Sequence, residues 1–515
     1  MRPAVRGWWL AAASIGCGIA LFAFLLRISL SRGMNSDGAN NALQGWDILH
    51  GNFLMHGWII GDATYYTLEL PLYAVTEAVL GLHLLTCHVV SAFTYLIVVA
   101  FAVALAMTGS QGLARAVRCL AVIAILGSPL LVRSDVSLLL GVPDHIGTSA
   151  IMLASFLLID RAPGRRFTPL LLGAILCAGQ IGDATVRYIA VPTILLVCAY
   201  RALAVRKVRT ADTAIMLAAA VSVPLTSLIM AVMKHFGAFA MVPPPTRISP
   251  VGEWPHHAAL TLANIRILFG AVAEPGNVLG LAGAAFALTC LLAALFGFGR
   301  VIWTWRTASR SEQLLCVAIV INTAAYVIST MPKSTSTYEI LAVLPFGAVL
   351  AARACVPVRI ADAWRGRVVI VTAALAALLP LTGAATLRPA GLTAVPVAAW
   401  LKAQGLTYGI AGYWDASAVT VQSGNQVQVR AVVSPYDKIT PYYWETKPSW
   451  YDPSQHDATF VIGNSSNAPG NITPAIAKRN FGRPTAIYEV AGRVIMIYNR
   501  NLLRELPRSR PLPTG

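Results

Sequence analysis

The chain has 515 residues, 57% of them hydrophobic and only 12% charged. With a mean hydropathy of +0.65, this excludes an ordinary soluble domain and predicts a polytopic membrane protein. Lys and Arg outnumber Asp and Glu by 39 to 22, a formal net charge of +17. No basic run interleaved with aromatics stands out, so no nucleic-acid partner is expected, and the excess reads as positive-inside bias.

The short basic start MRPAVRG leads into an apolar run over 8–26. That run can cross a bilayer core of roughly 30 Å. It reads as an uncleaved first helix with its N-terminus inside. Next comes 34–81, polar, aromatic and acidic in an otherwise oily chain. Within it, 65–81 carries Glu69, Pro71 and Glu77. It reads as a helix lying at the outer interface, with Tyr65, Tyr66 and Tyr73 at headgroup level. Further apolar runs cover 84–107, 114–132, 145–158, 168–182, 185–202, 213–233, 278–298, 314–330, 338–352 and 368–387, about eleven with the first.

The charges agree with that count. The predicted inner loops carry Arg115 and Arg118; Arg161, Arg165 and Arg166; Arg201, Arg206, Lys207 and Arg209; Arg300, Arg306 and Arg310; and Arg353, Arg359, Arg365 and Arg367. The short outer loops hold Arg133, Arg187 and Lys333 singly, as the orientation rule predicts. The eight cysteines lie in or beside apolar runs without a CxxC pair, and read as small buried hydrophobes.

The expected organisation is therefore a membrane domain over 1–387 with its first outer loop at 27–83. An extracytoplasmic α/β domain over 388–506 and a disordered tail over 507–515 follow. In the α/β domain, 419–422 and 427–433 read as strands joined by the turn Ser423-Gly424-Asn425. Strands are also predicted over 459–462, 486–490 and 494–498, and helices over 395–404 and 474–479.

Three places carry a family resemblance: Asn35-Ser36-Asp37-Gly38 with 42–51 behind it, Val142-Pro143-Asp144-His145, and 332–338 ending in Tyr338. With a first helix, an outer loop bearing an early Asp and a Tyr/Pro-rich juxtamembrane helix, the chain resembles the GT-C glycosyltransferases, closest to actinobacterial-type members. The family often has a second acid beside the first; here Gly38 follows Asp37, and Thr337-Tyr338 stands where Arg-Tyr is usual. The resemblance implies an inverting transferase. It would move a sugar from a polyprenyl-phosphate donor to a glycan, lipid or protein acceptor of the cell envelope, at the outer face of the bilayer. A divalent cation is left open.

Such a transfer needs a base for the acceptor proton and donors for the leaving phosphate. Asp37 takes the base role by position; its alternative is to cap the helix that starts beside it. Asp144 and His145 stand at a helix start and can hold a divalent ion or a phosphate, or simply serve the helix dipole. Asp183 and Arg187 either pair at i, i+4 or serve the site. Lys333 can reach a phosphate or snorkel. Asp62, Glu69 and Tyr66 can hold sugar hydroxyls and a ring face, although aromatic belts use the same tyrosines. His56 reads as a surface residue. Adjacent His256 and His257 form a weak metal motif.

Tyr413-Trp414-Asp415 and Tyr442-Tyr443-Trp444 suit either carbohydrate binding or core packing. Asn464-Ser465-Ser466 and Asn471-Ile472-Thr473 match glycosylation sequons, which matter only in a eukaryotic secretory pathway. No Walker loop, GxSxG elbow or HExxH occurs. A lipid-linked-sugar transporter and a non-catalytic assembly protein remain as alternatives.

Overall fold

A computed structural model of the chain describes residues 3–131, 139–141, 145–204, 210–242, 246–272, 278–360, 363–385, 388–390, 392–466 and 468–507. The predicted tail thus lies almost wholly outside the described residues. The chain divides into two compact units. One comprises Met1–Ser31, Ser91–Leu228 and Pro245–Arg388; the other comprises Arg32–Val90, Ile229–Pro244 and Pro389–Gly515.

The first unit is helical. Each apolar run read from the sequence falls on a helix, and the helices that most exceed their runs are Pro3–Leu30, Thr210–His235 and Val278–Trp303. Among the described residues, seven helices are long and apolar enough to cross a membrane: Leu84–Ala106, Leu113–Leu131, Thr185–Ala204, Thr210–His235, Gly280–Trp303, Arg310–Ile328 and Thr337–Cys355. Shorter apolar helices include Ile15–Leu30, Thr168–Gly182 and Arg367–Leu379. Their buried faces form one apolar core, with Phe156, Phe269 and Phe346 among its largest side chains.

Helices Val278–Trp303 and Val343–Cys355 approach closely at Gly297, where a Cβ would lie 2.6 Å from the Leu350 carbonyl carbon. Small residues allow such backbone approach between apolar helices. Gly297→Val is therefore expected to lower stability by about 1–3 kcal/mol. Thermal unfolding in detergent measures this; an unchanged melting point would mean the two helices part without cost.

Arginines from four predicted inner loops meet in this unit. Arg118 donates to Val356 O at 2.9 Å, Arg300 to Arg353 O at 3.2 Å, Arg353 to Leu105 O at 3.0 Å and Arg161 to Ala104 O at 3.2 Å. These bonds satisfy carbonyls at helix ends that have no partner within their own helix.

In the second unit, helix Ser36–Leu49 packs against helix Glu69–Leu80. Gly45 permits it, since a Cβ there would lie 2.5 Å from Tyr73 Cβ. Strand β1 (Ile59–Ile60) pairs in parallel with β2 (Ala240–Met241). A six-stranded sheet follows, built from β3 (Tyr408–Gly412), β4 (Gln428–Val433), β5 (Thr440–Pro441), β6 (Phe460–Asn464), β7 (Ala486–Val490) and β8 (Arg493–Ile497). Its strand order is β5-β4-β3-β6-β8-β7, with β4, β3 and β6 parallel and the rest antiparallel.

One expectation fails here. Residues 419–422 belong to helix Tyr413–Gln422, which carries the chain from β3 to β4. Gly424 and Asn425 have φ +63° and +65°, and Asn425 N donates to Thr420 O at 3.0 Å. The left-handed pair ends a helix here instead of turning a hairpin, and the same two residue types serve both. Val419 is buried in the core under the sheet and Val421 in the core of the first loop, and this burial outweighs β-propensity.

Candidate functional site

Helix Ser36–Leu49 begins at Asn35, whose side-chain oxygen accepts from Gly38 N at 3.2 Å. Asn35 is therefore the cap, and Asp37 is not. The Asp37 carboxylate lies in the first turn, partly buried, where the helix dipole favours an anion. It accepts from Asn35 Nδ2 at 2.9 Å and from the Tyr413 hydroxyl. Each oxygen keeps a further lone pair.

Tyr413 is the first residue of the helix that follows β3. The turn into that helix runs tight against the 465–473 loop: Tyr413 N donates to Gly470 O at 2.7 Å, and a Cβ on Gly412 would lie 2.5 Å from the same oxygen. Ser36 Oγ donates to Tyr413 O. The hydroxyl of Tyr413 also stands 3.4 Å from Glu445 Oε2, which accepts from Asn40 Nδ2 at 2.9 Å.

The 444–447 segment is clamped onto the first loop. Thr446 exchanges backbone hydrogen bonds with Ile59 at 2.8 and 3.0 Å, Gly61 lies under the Trp444 ring, and Lys447 Nζ reaches Asp47 Oδ2 at 2.7 Å. Glu445 itself is buried with φ +51°, a strained backbone for a non-glycine residue.

Burial pushes the Asp37 carboxyl above its usual range, and the bonds from Tyr413 and Asn35 pull part of the way back. Burial, with Glu445 and Asp37 alongside, holds the Tyr413 phenol well above its usual value, so it stays a donor. Two carboxylates around one phenol make a site that readily takes up a proton.

The helical unit gathers other predicted residues. His145, at φ +53° just before helix Ile146–Arg161, places Nδ1 2.6 Å from Asp183 Oδ2. Its ring stacks on Tyr338 at 6.0 Å, and its Nε2 lies 4.0 Å from Glu339 Oε2. Asp183 also accepts from Thr148 Oγ1 and, at 2.8 Å, from Thr185 N. Of the two readings for Asp183 and Arg187, the i, i+4 pairing does not form: Arg187 turns to Ser227 Oγ at 3.0 Å and Gln180 Oε1 at 3.4 Å. The carboxylate is better used capping the next helix than reaching along it.

Lys333 is exposed, and its carbonyl accepts from Asn264 Nδ2 at 2.8 Å. Asp144 lies outside the described residues. Among the described residues no group of three His, Cys, Asp or Glu can hold a metal ion.

Of the sugar-facing expectations, Tyr66 donates its hydroxyl to Phe53 O at 2.6 Å and packs on Phe239 at 5.5 Å. Asp62 is partly exposed and Glu69 is buried. His56 bonds Gly237 O at 2.7 Å, and His257 bonds Val327 O at 3.1 Å. Sequence reasoning missed Asn40, Glu445 and the link from Tyr413 to Asp37. The signal available was the acid directly after the aromatic run Tyr442-Tyr443-Trp444.

No protein-family model matches the chain, and no curated protein matches it either. Two crystal structures of ArnT from Cupriavidus metallidurans, one in the apo state and one bound to undecaprenyl phosphate, are similar to it. Each has a TM-score of 0.57 at 12% identity, over 97% of this chain and 100% of theirs. The apo crystal structure of the Archaeoglobus fulgidus oligosaccharyltransferase reaches a TM-score of 0.44 at 11% identity, over 87% of this chain and 69% of that one. The fold is of the GT-C type, as the resemblance in sequence implies. The protein is a multi-pass membrane protein with a strand-containing C-terminal region.

Proposed function

We propose that the chain is an inverting glycosyltransferase acting on a polyprenyl-phosphate sugar at the outer membrane face. The observation that carries the reading is Asp37. It is a partly buried carboxylate that is not the helix cap, raised by burial and held by Tyr413. A fold shared along its length with a protein crystallised with undecaprenyl phosphate supports the same reading. In the proposed step an acceptor hydroxyl oxygen attacks the anomeric carbon from the face opposite the phosphate. Asp37 takes the hydroxyl proton. The carbon–oxygen bond to phosphate breaks, and polyprenyl phosphate leaves with the electron pair. His145, Arg187 and Lys333 are competing candidates for the phosphate role.

The proposed topology has eleven crossings, N-terminus inside and C-terminal domain outside. The arginines that meet in the helical unit support it. The acceptor belongs to the cell envelope: a glycan, lipid or protein.

A pH profile tests the base. A carboxylate base works only when deprotonated, so activity rises with pH through its raised pKa. The Tyr413 hydrogen bond favours the charged form. Tyr413→Phe should therefore move the acid limb of kcat/KM to higher pH. A limb that stays in place would remove Asp37 from the titrating role.

A further inference from the structure

Beyond Asp37, a cleft of about 170 Å³ opens at the edge of the same unit, lined among others by Met34, Thr393, Trp414, Asp415 and Arg493. Its place in the sheet is telling. From β3 the chain crosses to β4 on one side; from β6 it runs on to β7 and β8 on the other. The carboxyl ends of the adjacent parallel strands β3 and β6 are thus a topological switch point, the place where open α/β sheets bind ligands. Trp414 and Asp415 follow β3 directly, and Asn464 ends β6.

The lining is built. Trp414 is 43% exposed, yet its orientation is pinned: Nε1 donates to Pro469 O at 2.8 Å, and a Cβ on Gly470 would lie 2.8 Å from that nitrogen. Asp415 accepts from Arg493 Nε at 2.9 Å and from Asn464 Nδ2 at 3.2 Å. Asn464 is only 8% exposed. Each Asp415 oxygen keeps a lone pair, and Arg493 Nη2 has no partner among the described residues. The ion pair cancels its own charge, which suits a neutral polyol better than a phosphate. A fixed aromatic face beside paired planar donors and acceptors matches a sugar ring, apolar on one face and hydroxylated at its rim.

We infer that this cleft binds a sugar ring of the acceptor, so that the acceptor is a carbohydrate or glycolipid. The assignment rests on the transferase reading. Tyr413, which bonds Asp37, and Trp414, which faces the cleft, are consecutive residues, so one helix start serves both the base and the proposed subsite.

The test uses the full chain in lipid nanodiscs and a panel of methyl pyranosides and furanosides, read by saturation-transfer NMR. At least one glycoside should bind, with Trp414→Ala weakening it about tenfold or more. Arg493→Gln makes the same test if Trp414→Ala does not fold. Equal binding by these variants overturns the assignment. So does the absence of any glycoside binding in a preparation that transfers sugar to a sugar-free lipid or peptide, and that outcome leaves the transferase reading standing. Binding at the cleft by a chain that transfers no sugar overturns the acceptor role and the transferase reading together.

Discussion

Asp37→Asn is expected to reduce sugar transfer about 10²- to 10⁴-fold, the range for losing a positioned general base. Asparagine has nearly the same shape, and its amide oxygen can still accept the Tyr413 hydroxyl. Asn35 continues to cap the helix. Protein level and melting point should therefore hold while transfer falls. In cells, a polyprenyl-phosphate sugar should accumulate and an envelope glycan shorten, both readable by mass spectrometry. A transporter or an assembly scaffold would keep working with this substitution. Retained transfer, or transfer lost only because the protein unfolds, would leave Asp37 without a chemical role.

A second large effect concerns stability. Glu77, on helix Glu69–Leu80, is 2% exposed, and neither carboxyl oxygen has a hydrogen-bond partner among the described residues. Burial pushes its pKa from 4.5 up to about 9. Between those values the folded protein holds a proton that the unfolded chain releases. Its stabilising contribution is fully present below 4.5 and is lost as pH rises toward 9. The slope is at most about 1.4 kcal/mol per pH unit. Tyr73 and Cys87 lie in the same buried cluster, and neither side chain can carry a positive charge to offset an ionised Glu77. Melting points between pH 5 and pH 8 should fall for the natural chain and stay nearly flat for Glu77→Gln. Parallel declines in both proteins would place the titration elsewhere.

Much of the helical unit is legible in sequence because its signal is local. A run of apolar residues long enough to span a bilayer has few other uses, and each predicted run lies on a helix. Asp37 is legible by position, since an acid just after a first apolar run is conspicuous in a chain with 22 acids. Its partner is not. Tyr413 and Glu445 meet Asp37 and Asn40 through contacts 376 and 405 residues apart, and nothing in either segment encodes the other. The misread strand at 419–422 has a related cause. Short β-branched runs followed by Gly-Asn are ambiguous until the strand they pack against is known. Asp183 shows the same limit, because its choice of His145 over Arg187 depends on a helix 38 residues away.

The hydrogen bond between Asp37 and Tyr413 joins residues 376 positions apart. A chain made from its N-terminus delivers the acid first, and the phenol arrives only 376 residues later. Nascent or prematurely ended chains that stop short of Tyr413 therefore carry an incomplete centre. A frameshift or nonsense lesion anywhere before Tyr413 should be as silent as outright deletion, however many helices have already entered the bilayer.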